Sequence, residues 1–221
     1  MIEVLIADDQ ALVRDGFRAI IDREADLQVV AEAGDGVEAL ELTRQHRPGV
    51  VLMDIRMPRV DGLSATRQVL GLPFPPRVLV LTTFDRNDWV YEALRAGASG
   101  FLLKDVRGTQ LTDAIRTVAA GEALLAPSIT GRFIEDFLER HGLPAADPRS
   151  EGLSDRERDV LRRIALGESN AEIAAHLFLG ISTVKTYVNR LFTKLDLRDR
   201  TQAVVYAYEH GFVRPGHASR S

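Results

Sequence analysis

Five polar side chains in the first half of the chain lie at or next to the end of an apolar run. They are Asp8, Asp9, Asp54, Thr82 and Lys104. The runs that precede them show no polar alternation, which is typical of strands buried on both faces of a parallel sheet. Because the carboxyl ends of parallel strands meet at one edge of such a sheet, we expect these five side chains to lie close together.

This combination of side chains indicates phosphate chemistry. Three nearby carboxylates repel one another unless a cation lies between them, and ligands that are all oxygen favour Mg²⁺. A carboxylate beside such an ion can attack a phosphoryl group, a hydroxyl can hydrogen-bond the product, and a lysine adds positive charge. The set therefore predicts a magnesium-dependent site at which Asp54 accepts phosphate. Aspartates after strands also commonly cap helices, but capping does not explain why every position at this edge suits phosphate.

The elements that must position these residues alternate up to about residue 120. The predicted strands contain residues 4–7, 27–31, 50–53, 78–81 and 100–103. The predicted helices span 10–24, 36–46, 62–70, 87–96 and 107–120. Five strands that alternate with five helices predict a doubly wound α/β domain.

The alternation ends near residue 121. A candidate helix over 129–138 leads into a segment, 141–152, with two prolines and two glycines, a composition typical of a linker. Four helical segments without a strand follow, over 155–166, 170–177, 182–195 and 199–210. The predicted division is a first domain over 1–120, a linker with a helix over 121–152, a small all-α four-helix domain over 153–210 and a tail over 211–221.

The composition limits the classes of protein that fit. Hydrophobic residues make up 45% and charged residues 27%, as in an ordinary soluble globular protein, and the absence of cysteine excludes disulfides and thiolate metal sites. No run approaches the roughly 20 apolar residues that cross a bilayer, and the first residues lack a signal-peptide pattern. We therefore expect a cytoplasmic protein with no membrane partner.

The net charge of −4 argues mildly against nucleic-acid binding until it is divided along the chain. Residues 1–120 carry −4 and residues 121–152 carry −3, whereas residues 153–206 carry +2 and residues 207–221 carry +1. Only the C-terminal helical part has a positive balance, and that balance is small.

The third helical segment of that part is amphipathic. Val184, Val188, Leu191 and Leu195 follow helical spacing and should pack inward. The polar side chains Lys185, Thr186, Asn189 and Arg190 then face outward, where they could reach base edges or phosphates. A short helix, a turn at Gly180 and a helix capped by Ser182 or Thr183 are typical of a helix-turn-helix. Composition alone favours the alternative of a plain solvated face.

Motifs in the first domain resemble the receiver domain of bacterial two-component response regulators. The resemblance rests on Leu5–Asp9 (LIADD), Met53–Pro58 (MDIRMP) with Asp61-Gly62, Leu81–Thr83 (LTT) and Phe101–Lys104 (FLLK). It implies a flavodoxin-like five-stranded fold, a Mg²⁺ cofactor and a sensor histidine kinase as the phosphoryl donor to Asp54. It also implies the following roles: Asp9 and Asp54 as Mg²⁺ ligands, Asp8 acting mainly through water, the Arg56 backbone carbonyl as a further ligand, Thr82 as the switch hydroxyl, Lys104 as the phosphate-pairing ammonium and Phe101 as the rotating aromatic.

Motifs in the second domain resemble the LuxR-type helix-turn-helix of the NarL/FixJ response regulators. They are Leu153–Leu161 (LSDRERDVL), Gly167 to Ala174 and Ser182–Thr186 (STVKT), with Lys194-Leu195. The resemblance implies that Lys185, Thr186 and Asn189, with Arg190, face the major groove, and that Ser182, Thr183 and Lys194 contact phosphates. The chain departs from the family at Tyr187, where histidine is common, and near Gly180, where serine or threonine is common. The last helix, with Ala203, Val204 and Ala207, resembles the dimerisation helix of the family, and packing within its own domain is the alternative.

The two resemblances predict a phosphorylation-dependent transcription regulator that binds promoter DNA as a homodimer on activation. They imply no enzymatic activity beyond its own Mg²⁺-dependent phosphorylation and dephosphorylation. Two alternatives stay open: a Mg²⁺-dependent phosphatase or phosphotransferase acting on small molecules, and a DNA-binding regulator that does not respond to phosphate. Turnover of a small phosphate ester would favour the first, and equal DNA affinity with and without a phosphoryl mimic would favour the second.

Overall fold

The computed structural model describes residues 1–82, 92–122, 124 and 147–213, and for Thr82 it describes the backbone only. The chain divides into two compact units, Met1–Leu124 and Leu125–Ser221. The predicted linker helix at 129–138 and the first half of the predicted helix at 87–96 lie outside the described residues. No helix within the described ranges is long and apolar enough to cross a membrane.

The first unit is built on a five-stranded, all-parallel sheet. Its strands are β1 (Ile2–Ala7), β2 (Leu27–Ala33), β3 (Val50–Asp54), β4 (Arg77–Thr82) and β5 (Gly100–Leu103). Their order in the sheet is β2-β1-β3-β4-β5, with β1 and β4 flanking β3. This order is flavodoxin-like, as the resemblance to receiver domains implied, and β3 is buried along its whole length because both faces of the sheet are covered.

Four helices complete the described part of this unit. They are α1 (Ala11–Ile21), α2 (Gly36–His46), α3 (Gly62–Leu70) and α4 (Gly108–Ala119), and residues 92–95 are also helical. Phe17 and Ile21 of α1 and Leu111 and Ile115 of α4 pack into one apolar core with side chains of the central strands, such as Leu52. This core holds the carboxyl ends of β1, β3 and β5 in fixed relative positions.

One predicted helix bound in this unit is wrong by three residues, and one strand extends beyond its apolar run. Helix α1 ends at Ile21 rather than 24, because the Asp22 carboxylate accepts a hydrogen bond of 2.9 Å from the Val29 amide and the chain turns towards β2. Strand β2 contains the apolar run at 27–31 and continues to Ala33. The strand accommodates Glu32 because that side chain forms ion pairs with Arg14 and Arg18 on α1.

The described part of the second unit, residues 147–213, contains four α-helices after a short 3₁₀ helix, Pro148–Gly152. The helices are α5 (Asp155–Ala165), α6 (Asn170–Leu177), α7 (Ile181–Leu195) and α8 (Arg200–Glu209). Ser154 with Glu157 caps α5 and Ser169 with Glu172 caps α6, each as a reciprocal capping box. Gly167 has a φ of 98° after α5, which is the left-handed conformation that lets the chain turn into α6.

The start of α7 differs from the prediction. The helix begins at Ile181, its N-cap is Gly180, and no side chain caps it. Ser182 and Thr183 therefore lie inside the first turn rather than at the cap, because the chain enters the helix one residue earlier. Both residues are exposed, and the Ser182 carbonyl accepts a hydrogen bond from Thr186 Oγ1.

The last part of the predicted linker is attached to α7. Arg149 Nη1 donates to the Leu195 carbonyl at 2.7 Å, and Lys194 Nζ donates to the Gly152 carbonyl at 3.1 Å. The 3₁₀ helix thus continues the C-terminal unit as a packed segment. The boundaries at 120 and 152 stay predictions.

Candidate functional site

Three carboxylates meet at the carboxyl edge of the sheet. Asp8 and Asp9 follow β1, Asp54 is the last residue of β3, and one oxygen from each lies within 4.8 Å of the other two. Asp8 and Asp54 are buried, whereas Asp9 is exposed. The sheet therefore brings together the carboxylates that the sequence predicted, with one of them open to solvent.

Lys104 lies between two of these carboxylates. It follows β5, and its Nζ is 2.7 Å from Asp8 Oδ2 and 2.9 Å from Asp54 Oδ2. In the sheet, β4 lies between β5 and β3, and both β4 and β3 lie between β5 and β1, so the long lysine side chain extends past one strand to reach Asp54 and past two to reach Asp8. One ammonium thus contacts two carboxylates, which leaves the cluster with an excess of negative charge.

The pKa values at this edge reflect burial and charge in opposition. Burial raises the pKa of the Asp54 carboxyl above its usual value, and the Asp8 carboxylate adds to the rise, while the Lys104 ammonium and the Arg56 backbone amide act against it. For Lys104, burial alone would lower the pKa, but Asp8 and Asp54 outweigh it and the pKa is raised. Lys104 is therefore firmly charged.

The residues of the cluster fit a magnesium ion. Asp8 Oδ2 is buried and makes its ion pair with Lys104 without an aligned hydrogen bond from any described group. Its second oxygen accepts a hydrogen bond from the Gln10 amide at 2.9 Å. An under-satisfied buried oxygen beside two further carboxylates forms the all-oxygen donor set that hard divalent cations prefer.

Two arginines that were not predicted from the sequence form hydrogen bonds and ion pairs with residues that follow the strands at this edge of the sheet. Arg14 Nη1 donates to the Asp8 carbonyl at 2.7 Å and its Nε donates to Glu32 at 3.3 Å. Arg59 pairs with the buried Asp35 and with Glu38 at the start of α2. Neither arginine stands at the end of a strand, so the criterion that found the other residues could not select them.

The three remaining residues assigned by resemblance are placed less fully. Thr82 ends β4 beside Leu103 of β5, and its side chain lies outside the described residues. Phe101 is buried on β5, where it pairs in register with Val80 of β4. Arg56 is exposed in the loop between β3 and α3.

The side chains predicted to contact DNA share one property, which is exposure on or at the start of α7. The inner face of that helix is Val184, Val188, Leu191 and Leu195, all buried as the spacing predicted. The exposed set is Ser182, Thr183, Lys185, Thr186, Asn189, Arg190 and Lys194. Lys194 differs from the others because its Nζ donates to the buried Glu157 at 2.8 Å, so its ammonium also supports the fold.

Helix α8 packs within its own unit. Ala203, Val204 and Ala207 are at most 1% exposed, and the helix lies against α5. Of the two interpretations of these residues, the structure therefore supports packing within the domain for the described chain.

The fold and its acidic edge define a receiver domain, and the helical unit has the helix-turn-helix arrangement. Residues 4–116 match the response regulator receiver domain, and residues 151–207 match the LuxR family of bacterial regulatory proteins. The chain belongs to the two-component response regulators with a LuxR-type DNA-binding domain, the group of the NarL and LiaR regulators. Its output domain is a DNA-binding domain of the LuxR type.

Relatives cover nearly the whole chain. It is 42% identical over 213 residues to the transcriptional regulatory protein YxjL of Bacillus subtilis, covering 96% of this chain and 98% of that one. It is 40% identical over 213 residues to LiaR of the same organism, covering 96% and 100%. Among solved structures, the NarL receiver domain of Mycobacterium tuberculosis is 40% identical with a TM-score of 0.53, covering 55% of this chain and 98% of that one. The response regulator ChrA of a heme-sensing two-component system is 36% identical with a TM-score of 0.50, covering 96% and 98%.

Proposed function

We propose that the protein is a transcription regulator controlled by phosphorylation of Asp54. The observation that carries the proposal is the contact of one ammonium, Lys104, with two buried carboxylates beside a third. A receiver with this arrangement takes its phosphoryl group from a histidine kinase, which is the partner that its family implies.

In the proposed reaction, a carboxylate oxygen of Asp54 forms a bond to phosphorus while the phosphorus–nitrogen bond of the phosphohistidine donor breaks. Asp54 is buried but ionisable, and Lys104 orients one of its oxygens at 2.9 Å and stabilises negative charge on the transferred group. Asp8, Asp9, Asp54 and the Arg56 carbonyl would hold Mg²⁺, which when bound neutralises charge on the phosphoryl oxygens. Arg14 keeps Asp8 in place through its backbone carbonyl.

We also propose that phosphate is sensed at the ends of β4 and β5. In the sheet, Asp54 at the end of β3 pairs with Leu81 of β4. Thr82 is the next residue of β4, so its backbone lies close to the phosphorylated aspartate in this proposal. Its hydroxyl would bond the phosphoryl group, and the buried Phe101 on the adjacent strand would change position in response. Such a change can alter which partners the receiver binds.

The output in this proposal is promoter binding by a dimer through the exposed face of α7. The segment that carries α7 has a charge of only +2, so a single copy should bind DNA modestly. Dimerisation on activation raises the effective concentration of the second copy at a paired site. The proposed division of labour is a receiver over 1–120, a connecting segment over 121–152 and a DNA-binding domain over 153–210.

Phosphorylation is tested by incubating the full chain with labelled acetyl phosphate and Mg²⁺. We expect one phosphoryl group per chain on the wild type and none on Asp54→Asn. The control is Asp15→Asn, which removes an exposed carboxylate of α1 outside the cluster and should label normally. Continued labelling of Asp54→Asn would overturn the assignment of the acceptor.

Control of DNA binding is tested with the same proteins. We expect the phosphorylated wild type to sediment as a dimer and to bind promoter fragments recovered from the genome at least about 10-fold more tightly than Asp54→Asn. Equal affinity of the two would instead support a regulator that does not respond to phosphate.

A further inference from the structure

The turn between α6 and α7 exposes two large apolar side chains. Phe178 is 94% exposed and Ile181 is 51% exposed. They lie at the end of one helix and the start of the next, three residues apart, in the helix-turn-helix itself. An aromatic ring with almost its whole surface in water contributes almost nothing to the folding of this unit.

The backbone conformation at Phe178 is also unfavourable for a large side chain. Its φ is 56°, the left-handed conformation in which helices commonly end on glycine or asparagine. A bulky side chain is disfavoured there by contact with its own backbone. Other described non-glycine residues with positive φ include Arg47, which lies over the ring of Phe74, and Arg59, which pairs with Asp35. Phe178 is therefore unfavourable for the fold in both conformation and exposure.

The residues that follow Phe178 in the chain indicate what kind of partner its ring could contact. Ser182, Thr183 and Lys185, all exposed donors, follow within seven positions at the start of α7. The apolar patch is two side chains, whereas a stable protein interface buries roughly 800 Å² on each partner. DNA offers small apolar surfaces at this scale, in the deoxyribose rings between phosphates and the thymine methyl groups of the major groove.

We propose that Phe178, together with Ile181 three positions later, is a DNA-contact residue that packs on the apolar surface of a deoxyribose or a thymine methyl group. This inference rests on the proposed use of α7 to bind DNA and extends that interface into the preceding turn. The polar residues of α7 then supply hydrogen bonds and charge, and the Phe178 ring supplies an apolar contact at the edge of the same site.

The test is Phe178→Asn in the full phosphorylated chain, on a duplex selected from random DNA by the wild type. Asparagine tolerates positive φ, so the melting temperature of the variant should rise. DNA affinity should fall about 10-fold through the lost contact. The slope of log affinity against log salt should not change, because no ion pair is removed. A residue with a merely structural role would not combine higher stability with weaker binding.

The matched control is Lys185→Ala, which should weaken binding and reduce the salt slope by about one. Loss of binding in Lys185→Ala with wild-type affinity in Phe178→Asn overturns the inference about Phe178 and leaves the proposed function intact. Unchanged DNA affinity in Phe178→Asn, with loss of transcription in the presence of RNA polymerase, overturns it in favour of a protein contact. Absence of DNA binding by every variant and the wild type overturns both proposals.

Replacement of thymine by uracil in the selected duplex distinguishes the two DNA surfaces. If the effect of Phe178→Asn disappears on the uracil duplex, the contact is a thymine methyl group. If the effect persists at its full size, the contact is the deoxyribose.

Discussion

At two places in this protein, a lysine from one element forms an ion pair with buried carboxylates of another element. Lys104 extends from the end of β5 to Asp8 and Asp54, and Lys194 extends from α7 to Glu157 at the start of α5. The two cases differ in what remains after pairing. Glu157 Oε2 also accepts hydrogen bonds from the Ser154 amide and hydroxyl, whereas Asp8 keeps a buried oxygen without an aligned donor. The first arrangement stabilises a fold, and the second is suited to receiving a cation.

Glu157 provides a prediction about pH. Burial acts to raise its pKa, but the Lys194 ammonium and the Ser154 donors outweigh burial, so the pKa lies below its usual value of 4.5. The ionised carboxylate therefore stabilises the folded state above pH 4.5, and this contribution is lost as the pH falls through the lower pKa of the folded state. Glu157→Gln should reduce the free energy of unfolding by about 1 kcal/mol at pH 7.

Urea unfolding followed by circular dichroism between pH 3 and pH 7 measures this difference. The deficit of Glu157→Gln should shrink as the solution becomes more acidic. Glu151→Gln, which changes an exposed carboxyl on the 3₁₀ helix, is the control and should have little effect. A deficit that stays constant over the whole pH range would contradict the role given to the charge.

At the scale of elements, the backbone at the start of α3 lies in close contact with the backbone at the end of β3. The Gly62 amide donates to the Ile55 carbonyl at 2.9 Å, and a Cβ at Gly62 would lie 1.8 Å from the Asp54 carbonyl oxygen. The helix can approach the acceptor strand only because this residue has no side chain. The position of Asp54 therefore depends on a glycine eight residues further along the chain.

Gly62→Ala should destabilise the receiver by about 1–3 kcal/mol, because either the helix or the Asp54 backbone must move. It should also slow phosphorylation by acetyl phosphate. Gly16→Ala in α1 is the matched control, since a Cβ there meets nothing within 4 Å. That variant should be neutral or more stable by up to about 1 kcal/mol, and its phosphorylation should be normal.

Thermal unfolding and the rate of acetyl-phosphate labelling test this pair of variants together. If Gly62→Ala matched Gly16→Ala in both measurements, the close approach of α3 to β3 would have no role in positioning Asp54.

For the whole molecule, the separation of charge along the chain limits how DNA can be bound. The segment 1–120 carries −4, so it repels the phosphate backbone, and the DNA-binding segment 153–206 has only +2. The net positive charge of each DNA-binding segment is therefore small, and two copies bound together release about twice as many counterions as one.

The phosphorylated chain should therefore show a salt slope on a duplex with two half-sites that is about twice the slope on a duplex with one. Affinities measured between 50 and 200 mM salt, on duplexes of equal length, give the two slopes. Equal slopes would mean that a single DNA-binding domain engages the paired site, in contradiction to the proposed dimer.

Much of the fold and of the site follows from local patterns in the sequence. Apolar runs of four to five residues identified the strands, helical spacing identified the buried face of α7, and the capping boxes at Ser154 and Ser169 marked two helix starts. Parallel strands have their carboxyl ends at one edge, so the position of a residue in the sequence already predicted that Asp8, Asp54 and Lys104 would meet. These features depend on neighbours along the chain or on a general rule of topology.

Only the tertiary structure decided which side chain contacts which partner. That Lys104 contacts two carboxylates, that Arg14 and Arg59 hold the surrounding loops, that Lys194 bonds Glu157 and that α8 packs against α5 all depend on contacts between elements. The same holds for Gly62, whose requirement comes from the distance between a helix and a strand. Such contacts form between surfaces brought together by folding, and no periodicity within either element encodes them.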